Sequence, residues 1–136
     1  LAAGICGSGI IEVVAELYLA GVLLADGRFN PDCPSPRLRW EGVKGSYMLA
    51  EAHETMAKRP LFITQMDVRN IQLAKSALYA GIKLLMLRAN ISKVDKVALA
   101  GAFGSYIDIE KSIIVGLLPD LPVEKFIFIV SIFLKF

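Results

Sequence analysis

Two glycine-rich turns carry the residue types in this 136-residue chain that could do chemistry. The first closes the run Val97-Ala98-Leu99-Ala100-Gly101-Ala102-Phe103-Gly104, and the polar turn Ser105-Tyr106-Ile107-Asp108 follows it. The run reads as a buried strand with glycines at its carboxyl end. Glycine lets a backbone turn sharply there and lets a ligand come close. In open α/β sheets ligands bind just outside the carboxyl ends of strands, so a nucleotide is the first chemistry to look for. A plain strand-to-helix turn packed on small residues would give the same pattern. The second turn is Gly4-Ile5-Cys6-Gly7-Ser8-Gly9. It feeds a helical pattern, and a glycine-rich loop at a helix N-terminus offers an anion both N–H groups and the positive end of the dipole. Its glycines could equally serve only to turn the chain into a helix that packs on a sheet.

Other chemistries find little support. Cys6 and Cys33 lie far apart without a CxxC spacing, and with the single His53 they make no convincing zinc site. Iron–sulfur clusters usually take four thiolates, so this segment is expected to hold none. A reduced, cytoplasmic setting is the simpler expectation for the two thiols. The net charge of +2 is small and its basic residues are scattered, which argues for neither nucleic acid nor a membrane surface as partner. No apolar run reaches the roughly 18–20 residues of a spanning helix. Apolar residues at 55% and charged residues at 21% suit one packed domain or part of one. The first residues lack the basic region of a signal peptide and are interrupted by glycines, and the opening Leu1, inside an apolar-glycine pattern, suggests a fragment of a longer protein.

The elements that must position the two turns follow from periodicity. Ile10, Val13, Val14, Leu17 and Gly21 predict an amphipathic helix over 10–24, with Ser8 as N-cap and Glu12 in the first turn. Residues 26–45 read as a loop, because Pro31, Pro34, Pro36 and several glycines interrupt it. Within it, Trp40 is expected to be a packing anchor, and Arg37 and Arg39 to be solvated. Residues 46–50 and 61–63 are short strands, with His53 a surface residue between them. Thr64 and Asp67 form a capping-box variant that opens the strongest helix signal, over 65–89, with Asn90 near its C-cap. Its apolar side is broad, and Ala74, Ala77, Ala80 and Gly81 suggest close contact with a neighbouring backbone. Its polar residues Gln65, Asp67, Arg69, Gln72 and Lys75 suit either a solvated face or the edge of a cleft near Gly101. Asp108 caps a short helix over 109–116, and the apolar tail after Lys125 suits a buried strand. Strand, helix, strand, helix after residue 60 reads as α/β, with a right-handed crossover from the strand at Leu61 to that at Val97 if the two are parallel.

Four motifs then occur together in one order. They are Ala3-Gly4-Ile5-Cys6-Gly7-Ser8-Gly9-Ile10-Ile11, then Ile63-Thr64-Gln65-Met66-Asp67-Val68-Arg69 with Gln72-Leu73-Ala74-Lys75, then residues 99–108, then Gly116-Leu117-Leu118-Pro119-Asp120-Leu121-Pro122. In that order and spacing the chain resembles the C-terminal domain of the reductive activators of corrinoid proteins. These are ferredoxin-like, ATP-dependent proteins of methyltransferase systems. The resemblance implies a partial ribonuclease-H-like lobe of the acetate-and-sugar-kinase/actin-like superfamily, with a mixed sheet and one long central helix. It places the domain at 1–125 and leaves 126–136 as an atypical apolar tail, where the family continues into a small-residue-rich closing helix.

The same resemblance implies that Gly101, Ala102, Phe103 and Gly104 form the adenosine motif. Gly7, Ser8 and Gly9 would stand at a phosphate-facing loop. ATP with Mg2+ would be the cofactor of the full-length protein, and a 2Fe–2S cluster would sit in an N-terminal domain outside this segment. The partner would be a corrinoid protein whose cobalt(II) is returned to cobalt(I); a homodimer stays open. Asp67 or Lys75 could add to the phosphoryl-transfer site, which has no evident general base. The segment alone is expected neither to hydrolyse ATP nor to transfer electrons. Two other readings stay open, a lobe of a small-molecule kinase of the same superfamily and a non-catalytic module that binds a partner.

Overall fold

The computed structural model describes residues 1–101 and 106–129. The order is α1 (Gly7–Leu19), β1 (Leu38–Glu41), β2 (Lys44–Ala50), β3 (Leu61–Thr64), α2 (Gln65–Arg88), β4 (Val97–Ala100), α3 (Ile109–Val115) and β5 (Phe126–Ile129). The fold is therefore mixed α/β. β1, β2 and β3 form one antiparallel sheet in that order, and β4 pairs in parallel with β5 in a second. The expected crossover between paired strands at 61 and 97 does not occur. β3 ends its own sheet, and the parallel pair is instead β4 with β5, joined through α3.

Residues 26–45 are less irregular than their prolines suggest. Leu38 pairs with Tyr47 and Glu41 with Lys44, so only Gly42 and Val43 are left as a two-residue hairpin turn. Gly42 has φ +58 and Val43 stays on the negative side, which fits the turn class that puts glycine first. Arg37 is half-buried and held by backbone, while Arg39 is exposed as expected and also donates to nearby carbonyls. Arg37 Nη1 donates to the carbonyls of Met48 and Leu49 at 3.3 and 2.9 Å, and Arg39 donates to those of Pro36 and Leu38. Trp40 is 44% exposed and so anchors no core. His53 is exposed, with Nδ1 3.4 Å from the Glu51 carboxylate.

Two apolar clusters organise the chain. In the first, Val14 and Leu17 of α1 meet Val22, Leu23, Phe29, Leu38, Ile63 and Val68. In the second, Ile11 of α1 meets Ile107, Ile109, Leu118 and Phe126, with Val97 and Leu99 of β4 packed against them. One face of α1 thus serves both clusters, because Ile11, Val14 and Leu17 recur at the three-residue spacing that lines one side of a helix.

α2 follows the expected bounds and its capping box is formed. Thr64 Oγ1 accepts from the Asp67 N–H at 3.2 Å, and the Asp67 carboxylate accepts from the Thr64 N–H at 2.7 Å. Its broad apolar side is not covered. Val68 is buried, but Leu73, Leu78, Leu84, Leu85 and Leu87 are exposed, and a Cβ added at Gly81 would meet no atom within 4 Å. Close packing at Ala74, Ala77, Ala80 and Gly81 is therefore absent among the described residues, and α2 is the long helix that the sequence led one to expect.

Candidate functional site

β4 delivers the first glycine turn. Its Val97 and Leu99 point into the second cluster, while Ala98 and Ala100 stay exposed. Gly101 follows with φ +95, a conformation that other residues adopt only with strain. A Cβ built there would meet nothing within 4 Å. The turn therefore demands glycine for its backbone conformation, and among the described residues none lies within 4 Å of that Cβ position. Ala102, Phe103 and Gly104 lie outside the described residues. On the far side, Ile107 returns to the second cluster and Asp108 caps α3, its Oδ1 accepting from the Lys111 N–H at 2.9 Å.

The second turn enters α1 earlier than its pattern suggests. The helix starts at Gly7, and its N-cap is Cys6 in place of Ser8. The Cys6 Sγ accepts from the Gly9 N–H at 3.4 Å and lies 3.4 Å from the Ser8 hydroxyl. The Ser8 hydroxyl first, and the Gly9 amide after it, lower the Cys6 thiol below its ordinary pKa. Glu12 falls beyond the first turn. The helix stops at Leu19 rather than 24, where Gly21 turns the chain at φ +70. Gly7, Ser8 and Gly9 form the first helical turn, and the first i to i−4 bond runs from the Ile10 N–H to the Cys6 carbonyl at 3.1 Å. The amides ahead of that bond point out of the helix end.

The two turns share a support. Ile10 and Ile11, next after Gly9, lie in the same cluster as Leu99, two residues before Gly101. A groove of about 630 Å³ borders Gly4, Cys6 and Gly9, but it opens toward Tyr47 and Leu49 of β2, not toward β4. A second groove of about 630 Å³ lies between the 28–32 loop and the hairpin tip at Trp40 and Val43, away from both turns. Among the described residues, no group of three or more His, Cys, Asp or Glu is placed to hold a metal ion.

Several polar residues at the start of α2 are tied to neighbouring backbone, while Arg69 stays exposed. Gln65 donates to the Gly27 carbonyl at 2.7 Å and accepts from the Phe29 N–H at 3.3 Å. Gln72 donates to the Asp26 carbonyl at 2.9 Å and accepts from Arg69 at 2.7 Å. Together they bind the tight turn at 24–28 to the helix. Arg28 holds the Asp26 carboxyl below its usual range, mainly through its backbone N–H and then through its guanidinium. Asp67 is taken up by the capping box. Lys75 Nζ donates to the Val115 carbonyl at the end of α3, at 2.9 Å. Sequence reasoning missed these tethers because each joins residues 36 to 46 positions apart, with no local signal.

Residues 1–130 match the family described as the C-terminal domain of RACo, the ASKHA domain. The chain is 35% identical over 127 residues to the corrinoid activation enzyme RamQ of Eubacterium limosum, covering 87% of this chain and 21% of that protein. It superposes on a solved structure of a reductive activator for a corrinoid, iron–sulfur protein with a TM-score of 0.85 and 33% identity. That match covers 93% of this chain and 20% of the other. The chain thus spans about one fifth of the length of either relative. The mixed sheets and helices are those of an actin-like lobe.

Proposed function

Because the chain belongs to the family of RACo C-terminal ASKHA domains, we propose that it is the C-terminal lobe of an ATP-dependent reductive activator. The whole protein would pass one electron to the cobalt(II) of a corrinoid protein in a methyltransferase system and leave it as cobalt(I). An iron–sulfur cluster of the 2Fe–2S type held outside this lobe would donate the electron, and ATP with Mg2+ would supply the free energy for this uphill step. The relatives' names support the partner class, since one is a corrinoid activation enzyme and the other an activator for a corrinoid, iron–sulfur protein.

The observation that carries the reading is Gly101. It follows directly on a parallel strand and holds φ +95, and among the described residues no atom stands within 4 Å of the place a Cβ would take. These features fit a nucleotide lying against the backbone. The lobe's part is binding and orientation. Gly101, with Ala102, Phe103 and Gly104, would receive the adenosine, and Gly7, Ser8 and Gly9 would bring the N-terminal end of α1 toward phosphate, the Gly7 and Ser8 amides as its donors while that of Gly9 is held by Cys6. The site forms no base of its own here, in keeping with phosphoryl chemistry that relies on positioning. Cys6 and Cys33 are both free thiols, which suits a cytoplasmic protein.

Calorimetric titration of the full-length protein with ATP and magnesium tests this. Gly101→Val should weaken binding by at least about tenfold. Gly21→Val bears the same kind of backbone strain, at φ +70 and with no atom within 4 Å of its Cβ. It should leave binding within about twofold. Equal effects of the two would make Gly101 a folding residue and would favour a partner-binding module over an ATPase lobe.

A further inference from the structure

α2 changes character along its length. Its start is seated, with Val68 in the first apolar cluster and Ile71 packed against both. From Ser76 to Ala89 every residue but Met86 is exposed. That stretch carries two charges, Lys83 and Arg88, and the Lys83 ammonium lies over the Tyr79 ring, 5.5 Å from its centre. Its apolar residues do not form one stripe. With about 3.6 residues per turn, Leu85 and Leu87 stand on nearly opposite sides of the helix. They are 69% and 77% exposed. Leu78 and Ile82 share the side of Leu85, and Leu84 falls between the two sides. A helix that is apolar all round belongs inside a larger core or inside a bilayer. Length excludes the bilayer. The run is about four turns, against the roughly 20 residues of a span, and no described helix is long and apolar enough to cross a membrane. A second copy of the helix does not suffice either, because paired helices cover one stripe of each partner and leave the far side in water.

We propose that the outer half of α2 seats another part of the same longer polypeptide, which folds around it and closes a third apolar core. The chain matches 21% of one relative and 20% of the other, so most of each lies outside the match. A body of that size can enclose the helix without a second molecule. Ala77, Ala80 and Gly81 leave the backbone bare between the leucines. Among the described residues no atom lies within 4 Å of a Cβ added at Gly81, so a covering segment can come close to the helix axis there. This seat follows from the family match and not from the nucleotide reading, so either can fail alone.

The test places a photo-crosslinking residue at Leu85 of the full-length protein, without nucleotide. A second variant carries it at Val43, which is 94% exposed at the hairpin tip. The Leu85 product should run at the mass of a single chain, and its peptide map should join α2 to a segment beyond these 136 residues. Val43 should give no such link. In the same protein Leu85→Ala should speed hydrogen exchange at the amides of 80–88 by at least about tenfold, because it empties an enclosed site. A Leu85 product at twice the chain mass would seat a second copy there and overturn the proposal. A link that returns only to these 136 residues would do the same, as would equal links from Val43. No link from Leu85, with exchange unchanged by Leu85→Ala, would leave the surface to a separate partner and overturn it too.

Discussion

The first three turns of α2 are rich in polar residues and the last three are mostly apolar, and their surroundings differ. In the first, Val68 is 1% exposed, and Gln65, Asp67, Gln72 and Lys75 each bond a backbone group. In the last, Leu78, Tyr79, Leu84, Leu85 and Leu87 are between 42% and 77% exposed. The apolar period runs unbroken through both halves, so it does not separate them. Periodicity states which side of a helix is fit to be buried. Whether anything lies against that side depends on other segments. The keyed polar residues mark the half that the described residues anchor, although Met66 and Leu73 within it are each 68% exposed.

The sharpest challenge to this contrast is a pair of truncations in the isolated chain. Val68→Ala should cost about 2 kcal/mol, since it empties a buried site in the first cluster. Leu85→Ala should stay within about 0.5 kcal/mol. Urea midpoints at unchanged slope give both numbers. Equal losses would mean that the outer half of α2 is covered after all. Repeating Leu85→Ala in the full-length protein sharpens the comparison, because a loss of more than about 1 kcal/mol there would locate a covering segment beyond this chain.

A smaller effect is expected at the helix start. Thr64→Ala removes the acceptor for the Asp67 N–H and half of the capping box, and should cost about 1 kcal/mol. Exchange should quicken at residues 65–68 and leave residues 80–88 unchanged. Uniform quickening along the helix would show that the two halves melt as one unit.

The smallest effect concerns the turn that Gln65 and Gln72 hold. The Asp26 carboxyl is lowered in the folded chain, so its contribution is complete above the unfolded aspartate value of about 3.9. It is lost as pH falls through the lowered folded value. Asp26→Asn should flatten that acid limb slightly and leave neutral stability nearly unchanged, because the Arg28 pair is exposed. A large drop at pH 7 would show that the turn, and with it the anchored half of α2, depends on this carboxylate.

What could be read in the sequence was local. Thr64 with Asp67, and Asp108 with Gly116, are helix ends whose signals lie within a few residues of the bonds they make. The carboxyl end of β4 was equally plain, since an apolar run met a glycine. The hairpin at 38–50 was hidden, because its evidence is the pairing of Leu38 with Tyr47 while the prolines before it speak for a loop. The cap of α1 was misplaced by two residues. Oxygen side chains dominate the rules for N-caps, yet a sulfur took the place. Lys75 looked available for phosphate because nothing nearby in sequence claims it. Its partner, Val115, comes from the other half of the chain.

The division into two apolar clusters also sets an order in time. Every buried residue of the first lies between Val14 and Val68. The second takes Ile11 from the start of the chain and is otherwise built from residues between Ile107 and Phe126. On a ribosome adding about 5–20 residues per second, the first can close seconds before the second has its components. During that interval α1 is already seated by Val14 and Leu17, while Ile11 on the same helix waits beside the glycine turn it will later support.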